Sequence, residues 1–312
     1  MVLFTTPLLS RRGAEANERS EFDEPACRQA GRGGGIKIDN QPFLTSVTQL
    51  LLEKNLRNLC NHFFKTPALK TAIIGDVHGR PFWKKVIDRE YNAQRYIFVG
   101  DYFDNVKYNT DEQIYNFQHI IAYKMTHPEK EVVMLIGNHD YHYFPEVGNT
   151  NTAGYQAENA SSLELAIKTF RKDLQVCYQF DDFLISHAGV SSVFMDNTFG
   201  AGNWTYENIA ADLNNLFNKD PMAFRFNGTD PSGDDPEQGP MWIRTESLVK
   251  ANRDNLESKC IQIFGHTKID RIHRIGKITK SRYQLIDTLG TSGEYLVIED
   301  GSIRYDAVDI HF

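Results

Sequence analysis

Five short polar signatures lie in order along the chain, and four of them directly follow an apolar run typical of a buried strand. Their side chains are carboxylates, imidazoles and an amide, which are ligands for divalent metal ions of hard to borderline character. The signatures are Gly75-Asp76-Val77-His78-Gly79, Gly100-Asp101-Tyr102-Phe103-Asp104, Gly137-Asn138-His139-Asp140, Ser186-His187-Ala188-Gly189 and Gly265-His266-Thr267. Together they predict a site for a pair of metal ions, with one spare histidine for proton transfer.

The first two signatures supply the carboxylates. Asp76 and His78 are two residues apart after the apolar run Ala72-Ile73-Ile74, so both side chains can reach one metal ion. Asp101 comes 25 residues after Asp76, again just past an apolar run. A carboxylate is the side chain best suited to bridging two cations, and we expect a hydroxide shared by the two metal ions to be the nucleophile of a hydrolysis.

The remaining signatures supply neutral ligands and an acid. Asn138 offers an amide oxygen, and His187 and His266 offer imidazole nitrogens, so a second metal ion gains no excess negative charge from them. His139 is the natural general acid for the departing alkoxide, because the pKa of an imidazole is ordinarily near neutrality. Asp104 could accept a hydrogen bond from the other ring nitrogen and keep His139 protonated and oriented.

These motifs closely resemble those of the calcineurin-like metallophosphoesterase superfamily, over roughly residues 70 to 290. The resemblance implies an α/β fold built as a four-layer αββα sandwich. It also implies two divalent metal ions, with manganese expected and iron as the alternative. The implied roles are Asp76, His78 and Asp101 on one metal ion, Asp101, Asn138, His187 and His266 on the other, and His139 with Asp104 as the acid pair.

The last signature indicates a branch of the superfamily. Many nucleases and cyclic-nucleotide phosphodiesterases of this fold have a second histidine there, whereas this chain has Lys268 after Gly265-His266-Thr267. Together with Ser186-His187-Ala188-Gly189, this resembles the phosphoprotein-phosphatase branch, which includes bacterial Ser/Thr protein phosphatases and symmetrical diadenosine tetraphosphatases. The resemblance therefore favours cleavage of phosphomonoesters over phosphodiesters.

The chain departs from that branch at Asn105. Its members have an arginine there that binds substrate phosphate, and an amide lacks the charged, bidentate fork of a guanidinium. Arg244, in an element that resembles a tryptophan-arginine pair of bacterial relatives, is the first candidate to replace it, and Arg80 is the second. Loop arginines are also commonly plain surface cations, and that interpretation stays open for both residues.

The expected function is hydrolysis of a phosphomonoester, with a phosphorylated protein as substrate in the manner of Ser/Thr phosphatases. A dinucleotide polyphosphate such as diadenosine tetraphosphate, or a phosphorylated nucleic-acid end, would be alternative substrates. Outside enzymes, the alternative is a scaffold or binding module of the same fold. Such a module would be expected to have lost its metal ligands, and this chain retains the whole set.

Composition fits an enzyme domain. The chain has 312 residues, 41% of them apolar, enough for one catalytic domain with a buried core. Its net charge of -7 argues against an extended nucleic-acid surface. The 4 cysteines show no paired spacing, and no apolar run is long enough to cross a membrane, so we expect a cytoplasmic protein without a membrane anchor.

We expect three parts along the chain: a disordered leader at 1–35, an N-terminal helical extension at 36–68 and the catalytic domain at 69–312. Within the domain, Thr110-Asp111-Glu112-Gln113 predicts a capping box at the start of a helix. The aromatic cluster at 141–144 could line a pocket or fill the core, and packing is favoured because such clusters more often fill cores.

Overall fold

The apolar runs of the sequence form β-strands in the computed structural model of the protein. The structure describes residues 69–150, 152–227, 230, 232, 234–252, 256–275 and 282–311. All of them belong to one unit, Thr66–Phe312. The predicted leader at 1–35 and the predicted helical extension at 36–68 lie outside the described residues, so the division of the chain into these parts stays a prediction.

Strands and helices alternate in the first half of the described chain, and strands predominate in the second. The strands are β1 Thr71–Ile74, β2 Arg95–Phe98, β3 Glu131–Leu135, β4 Leu174–Gln175, β5 Cys177–Phe180, β6 Phe183–Ser186, β7 Ile261–Phe264, β8 His273–Ile275, β9 Tyr283–Leu285, β10 Glu294–Glu299 and β11 Ser302–Ala307. The α-helices are α1 Trp83–Arg89, α2 Thr110–Thr126, α3 Asn138–Tyr141, α4 Ala160–Phe170, α5 Ser192–Phe199, α6 Ile209–Lys219 and α7 Thr245–Asn252.

Within the described residues, these strands form two sheets. The first has the order β11-β10-β1-β2-β3-β4 and the second the order β5-β6-β7-β9-β8. Strands β1, β2 and β3 run parallel, and so do β6, β7 and β9. Because the carboxyl ends of parallel strands meet at one edge of a sheet, the loops after these strands gather the polar signatures.

Side chains that alternate along each strand divide the core into layers. Ile73 and Ile97 of the first sheet belong to one buried cluster with Ile185 and Ile263 of the second, which places that cluster between the sheets. On the outer faces, α1 and α2 cover the first sheet, and Leu248 of α7 packs in a cluster with strands β7 and β9. The predicted αββα sandwich is confirmed.

The capping box of helix α2 lies one residue earlier than predicted, with Asn109 as the N-cap. The side chain of Asn109 accepts a hydrogen bond from the N–H of Glu112 at 2.9 Å, and Glu112 accepts one from the N–H of Asn109 at 2.8 Å. The predicted box at 110–113 is therefore wrong by one residue, because Asn is as good an N-cap as Thr. The Thr110 hydroxyl instead donates to Gln156 Oε1 at 2.7 Å.

The aromatic cluster after the third signature packs as expected. Tyr141, Tyr143 and Phe144 are fully buried in the core beneath the helices. His142 is buried among them, but it contacts a polar partner that is described below. Among the described residues, none of the helices combines the length and the apolar character needed to span a bilayer.

Candidate metal centre

The first two signatures bring their side chains together at the carboxyl edge of the first sheet. One ligand atom each of Asp76, His78 and Asp101 lies within 4.8 Å of the others. Two glycines leave no room for a side chain beside these carboxylates. A Cβ on Gly265 would lie 1.9 Å from Asp76 Oδ1, and a Cβ on Gly137 would lie 2.0 Å from Asp101 Oδ1. The glycines of the signatures thus allow the loops to approach the carboxylates closely.

Asp101 lies between two histidines from different sheets. Its Oδ2 is 3.5 Å from His78 Nε2 and 3.4 Å from His187 Nε2. Its Oδ1 accepts a hydrogen bond from the N–H of His139 at 2.9 Å, which fixes the rotation of the carboxylate. Asp101 therefore lies next to one histidine of each predicted metal position, and its role as a bridging ligand stays a prediction.

Each of three site histidines has one ring nitrogen against a backbone carbonyl. A carbonyl oxygen only accepts, so that nitrogen must carry the hydrogen, and the other nitrogen presents a lone pair. The contacts are His78 Nδ1 to Phe103 O at 2.6 Å, His187 Nδ1 to Val99 O at 2.9 Å and His266 Nε2 to Trp242 O at 3.0 Å.

The lone pairs of these histidines converge on oxygen atoms. His187 Nε2 and His266 Nδ1 lie 3.0 and 2.9 Å from Asn138 Oδ1, in addition to the contacts of His78 and His187 with Asp101. Neither a carboxylate oxygen nor an amide oxygen has a hydrogen to offer to a lone pair, so a cation between these atoms would relieve their repulsion. Carboxylate, amide and imidazole donors are the set that divalent ions such as Mn²⁺ bind, and the residues fit a metal pair.

The charges at the site support the same conclusion. Burial raises the pKa of Asp76 well above its usual value, and the nearby carboxylates of Asp287 and Asp101 raise it further. Burial, aided by Asp101, also raises the pKa of Asp287 to about 6. This is an excess of buried negative charge, which divalent cations would neutralise.

The site histidines are held neutral, which is the form that binds metal ions. Burial lowers the pKa of His78 to about 4, although Asp101 opposes this shift. Burial also lowers the pKa of His187, and it places the pKa of His266 well below its usual value.

His139 differs from these histidines. Its Nδ1 lies 3.0 Å from Asp104 Oδ2, so the predicted pair is in contact. Burial alone would lower the pKa of His139, but the carboxylates of Asp101 and Asp104 outweigh it and raise the pKa to about 9. A protonated imidazole beside Asn138, a predicted ligand, can act as a proton donor, with Nε2 as the nitrogen left for a substrate.

A cavity of about 600 Å³ opens beside these groups. Its lining residues are Asn138, His139, Thr150, Thr152, Ala153, Phe226, Ser232, Trp242, Arg244 and His266. The loop after α6 therefore borders the cavity through Phe226 and Ser232. The composition of this loop, rich in proline, glycine and acidic residues, would by itself favour a solvated excursion.

The candidate phosphate-binding residues lie in different surroundings. Arg244 lines the cavity, and its Nη1 donates to the His266 carbonyl and to Thr267 Oγ1, both at 3.2 Å. Arg80 donates to backbone carbonyls of the first signature, including that of Asp76 at 3.3 Å. The amide of Asn105 donates to the His78 carbonyl at 2.7 Å, so it supports the loop of the first signature.

Sequence reasoning missed Gln156 and gave no chemical role to His142. Gln156 Nε2 donates to Asp104 Oδ1 at 3.0 Å, and His142 Nε2 lies 2.7 Å from Asp104 Oδ2. Nothing in the local sequence of Gln156 marks it, because its partner is 52 residues away along the chain.

A family model for calcineurin-like phosphoesterases matches residues 69–278 of the chain. The protein therefore belongs to the calcineurin-like phosphoesterase family. It is a metal-dependent phosphoester hydrolase, and the predicted family is confirmed.

Solved structures share the fold at low sequence identity. A mutant cold-active protein tyrosine phosphatase is similar at a TM-score of 0.54 and 20% identity, over 76% of this chain and 77% of that chain. The cold-active protein tyrosine phosphatase of a psychrophilic Shewanella species is similar at a TM-score of 0.52 and 19% identity, over 76% and 77% of the two chains. The comparison with curated proteins found no match.

Proposed function

We propose that this phosphoesterase hydrolyses phosphomonoesters and acts on phosphoserine and phosphothreonine in proteins, with two Mn²⁺ ions as cofactors. The observation that carries the proposal is the convergence of neutral imidazole lone pairs on Asp101 and Asn138, with the protonated His139 beside them. The proposed metal ligands are Asp76, His78, Asp101, Asn138, His187 and His266.

The chain's own residues would divide the work of hydrolysis. When bound, the metal ions would supply an activated water and neutralise phosphate charge. Arg244, which lines the cavity beside His139, would bind a phosphate oxygen that the metal ions leave free. His139 would donate its proton from Nε2 to the departing oxygen, and Asp104 would stabilise the imidazolium until that transfer.

Two features favour a monoester. Lys268 follows the last signature in place of the second histidine of many diesterases, and the Lys268 side chain is exposed. Arg244 adds a cation on the cavity side, and a terminal phosphate, with its two negative charges, benefits from this more than a diester does. We place the protein in the cytoplasm, because the free thiols of Cys177 and Cys260 fit a reducing compartment.

Diadenosine tetraphosphate is a second candidate substrate, because one wall of the cavity is aromatic. Phe226 and Trp242 line it with their rings 5.3 Å apart, and a purine base could stack there. A phosphorylated nucleic-acid end is less favoured, since the net charge of -7 opposes a polyanion.

The test is manganese-dependent release of phosphate from a panel of substrates, with Asp101→Asn as control. The panel contains phosphothreonine and phosphotyrosine peptides, diadenosine tetraphosphate, p-nitrophenyl phosphate and its bis-ester. We expect the highest kcat/KM on the phosphothreonine peptide. Preference for the phosphotyrosine peptide or the dinucleotide would replace the proposed substrate with that compound. Dominant cleavage of the bis-ester would contradict the monoesterase proposal itself.

A further inference from the structure

Besides His139, the carboxylate of Asp104 contacts three side chains that the sequence did not connect with it. Oδ2 is 3.0 Å from His139 Nδ1 and 2.7 Å from His142 Nε2. Oδ1 accepts from the hydroxyl of Tyr143 at 2.7 Å and from Gln156 Nε2 at 3.0 Å. We propose that Tyr143 and Gln156 are positioning residues: their hydrogen bonds to Oδ1 hold the Asp104 carboxylate with Oδ2 turned toward His139. The inference rests on the proposed role of His139 as general acid.

The direction of the Tyr143 hydrogen bond is set by Gln156. The backbone N–H of Gln156 donates to Tyr143 Oη at 2.9 Å, so the hydroxyl hydrogen is free to point at Asp104. The side chain of Gln156 is oriented in turn, because its Oε1 accepts from the Thr110 hydroxyl at 2.7 Å. A carboxylate only accepts, so the amide atom that faces Asp104 is the donor Nε2, and Oε1 is the acceptor at Thr110.

His142 lies beside Asp104 without a hydrogen bond to it. Its side chain has no exposed surface, and within the described residues neither of its ring nitrogens makes a hydrogen bond, although Nε2 lies 2.7 Å from Asp104 Oδ2. His142 therefore closes the pocket around the carboxylate, and the oriented hydrogen bonds to Asp104 Oδ1 come from Tyr143 and Gln156.

Asp104 needs these donors because it is cut off from water. Its side chain has no exposed surface, and a buried carboxylate stays ionised only when hydrogen bonds replace its hydration. The chain also passes close by at Gly154, where a Cβ would lie 3.3 Å from Asp104 Cβ and 3.7 Å from His139 Cε1. An Asp104 carboxylate that rotated would no longer hold the His139 ring in this orientation.

One short helix and one loop supply the whole arrangement. Helix α3 carries Asn138 and His139, and His142 and Tyr143 directly follow it. Gln156 comes from the next loop, whose residues Thr152 and Ala153 line the substrate cavity. The same loop therefore borders the substrate and holds the carboxylate behind the proton donor.

The test compares p-nitrophenyl phosphate with phenyl phosphate, which have similar shapes but different leaving groups. Phenolate is the more basic leaving group and depends more on a general acid. We expect Tyr143→Phe and Gln156→Met to lower kcat on phenyl phosphate about 10-fold. The loss on p-nitrophenyl phosphate should be below about 3-fold, with KM and bound manganese unchanged, because phosphate binding and the metal ligands are intact.

Tyr141→Phe is the matched control. It also removes one buried hydroxyl near α3, but that hydroxyl donates to the Pro221 carbonyl at 2.8 Å and not to Asp104. It should change kcat on both esters by the same small factor.

His139→Asn separates this inference from the function on which it rests. If His139→Asn lowers kcat by the same factor on both esters, the general-acid role is wrong. The other informative case is a selective loss of kcat on phenyl phosphate in His139→Asn. If Tyr143→Phe and Gln156→Met then lower kcat equally on both esters, or do not lower it at all, the positioning role is overturned.

Discussion

Asp101 Oδ2 and His187 Nε2 lie 3.4 Å apart, although the hydrogen of His187 is committed to the Val99 carbonyl on the other side of the ring. A lone pair and a carboxylate oxygen at this separation repel each other unless a cation interacts with both. The contact joins the carboxyl ends of β2 in the first sheet and β6 in the second. Metal binding should therefore stabilise the packing of one sheet on the other.

Replacing Asp101 should remove the shared ligand. We expect Asp101→Asn to lower bound manganese from about two ions per chain to one or none and to reduce turnover to background, because an amide cannot bridge two cations as a carboxylate does. Metal analysis after gel filtration, together with kcat, tests this. Asp88→Asn changes an exposed carboxylate on α1 and should match the wild type. Turnover near the wild-type value in Asp101→Asn would contradict the bridging role.

Removing the guanidinium of Arg244, which lines the cavity, should weaken phosphate binding. We expect Arg244→Ala to raise KM for the preferred phosphomonoester and Ki for inorganic phosphate about 10-fold, since a charge-assisted hydrogen bond is lost. Arg244→Lys should recover only part of the affinity, because an ammonium lacks the planar fork. Arg271→Ala, which removes an arginine that is 81% exposed, is the control. Unchanged phosphate inhibition in Arg244→Ala would show that Arg244 is structural.

A glycine substitution should damage the metal centre without removing a ligand. A Cβ at Gly265 would lie 1.9 Å from Asp76 Oδ1, so Gly265→Ala should displace that carboxylate. We expect manganese affinity to fall at least about 10-fold, a loss in the range seen when supporting residues of metal sites are changed. In the control Gly202→Ala, the added Cβ would have no atom within 4 Å, although the positive φ at this position is unfavourable for alanine. This variant should leave metal affinity unchanged. Equal affinities in the two variants, measured by calorimetry, would refute the close packing at Gly265.

Glu90 should contribute stability that is lost in acid. It accepts hydrogen bonds from Arg304 at 2.7 Å and Tyr295 at 2.7 Å and pairs with Lys70 at 2.9 Å. Burial opposes its ionisation, but Lys70, Arg304 and Tyr295 outweigh burial and lower the pKa of Glu90 to about 2. Glu90→Gln should therefore cost about 2 to 4 kcal/mol at neutral pH.

The pH dependence follows from the direction of that shift. Because the pKa is depressed in the folded state, the contribution is complete above the ordinary pKa of about 4.3 and disappears as the pH falls toward about 2. Urea unfolding at several pH values should show the difference between wild type and Glu90→Gln shrinking over that window. Glu146→Gln breaks an exposed ion pair with Arg171 and should cost less than about 1 kcal/mol throughout. A constant difference for Glu90→Gln down to low pH would contradict the assignment.

Local pattern predicted most of the fold and the main groups of the site. The runs before Asp76, Asp101 and Asn138 form buried strands with those residues just past their ends, because short apolar runs of this kind have few other stable structures in a layered fold. The predicted pair of His139 and Asp104 is also in contact. Cap position was predicted less well, since neighbouring Asn109 and Thr110 both suit an N-cap.

The contacts that sequence could not give are those between distant segments. Gln156 reaches Asp104 across 52 residues, and a lone glutamine in a loop carries no periodic or motif signal. Asn105 could be recognised as a departure from the family pattern, but its hydrogen bond to the His78 carbonyl needed coordinates. The role of Phe226 in the cavity wall was hidden for the same reason, because loop composition does not tell on which side a loop packs.

Four of the chemically important residues share an unusual backbone. His78, Asp101, Asp104 and His266 have φ angles of 43°, 52°, 63° and 67°. Besides glycine, only Asn, Asp and His enter this left-handed region with any frequency. The main chain therefore limits which side chains these positions can sample during evolution, before any question of chemistry arises. A family member that lost its activity could drift among these few residue types and still keep the outline of a metal site, whereas a change to Val or Ile there would strain the loop itself.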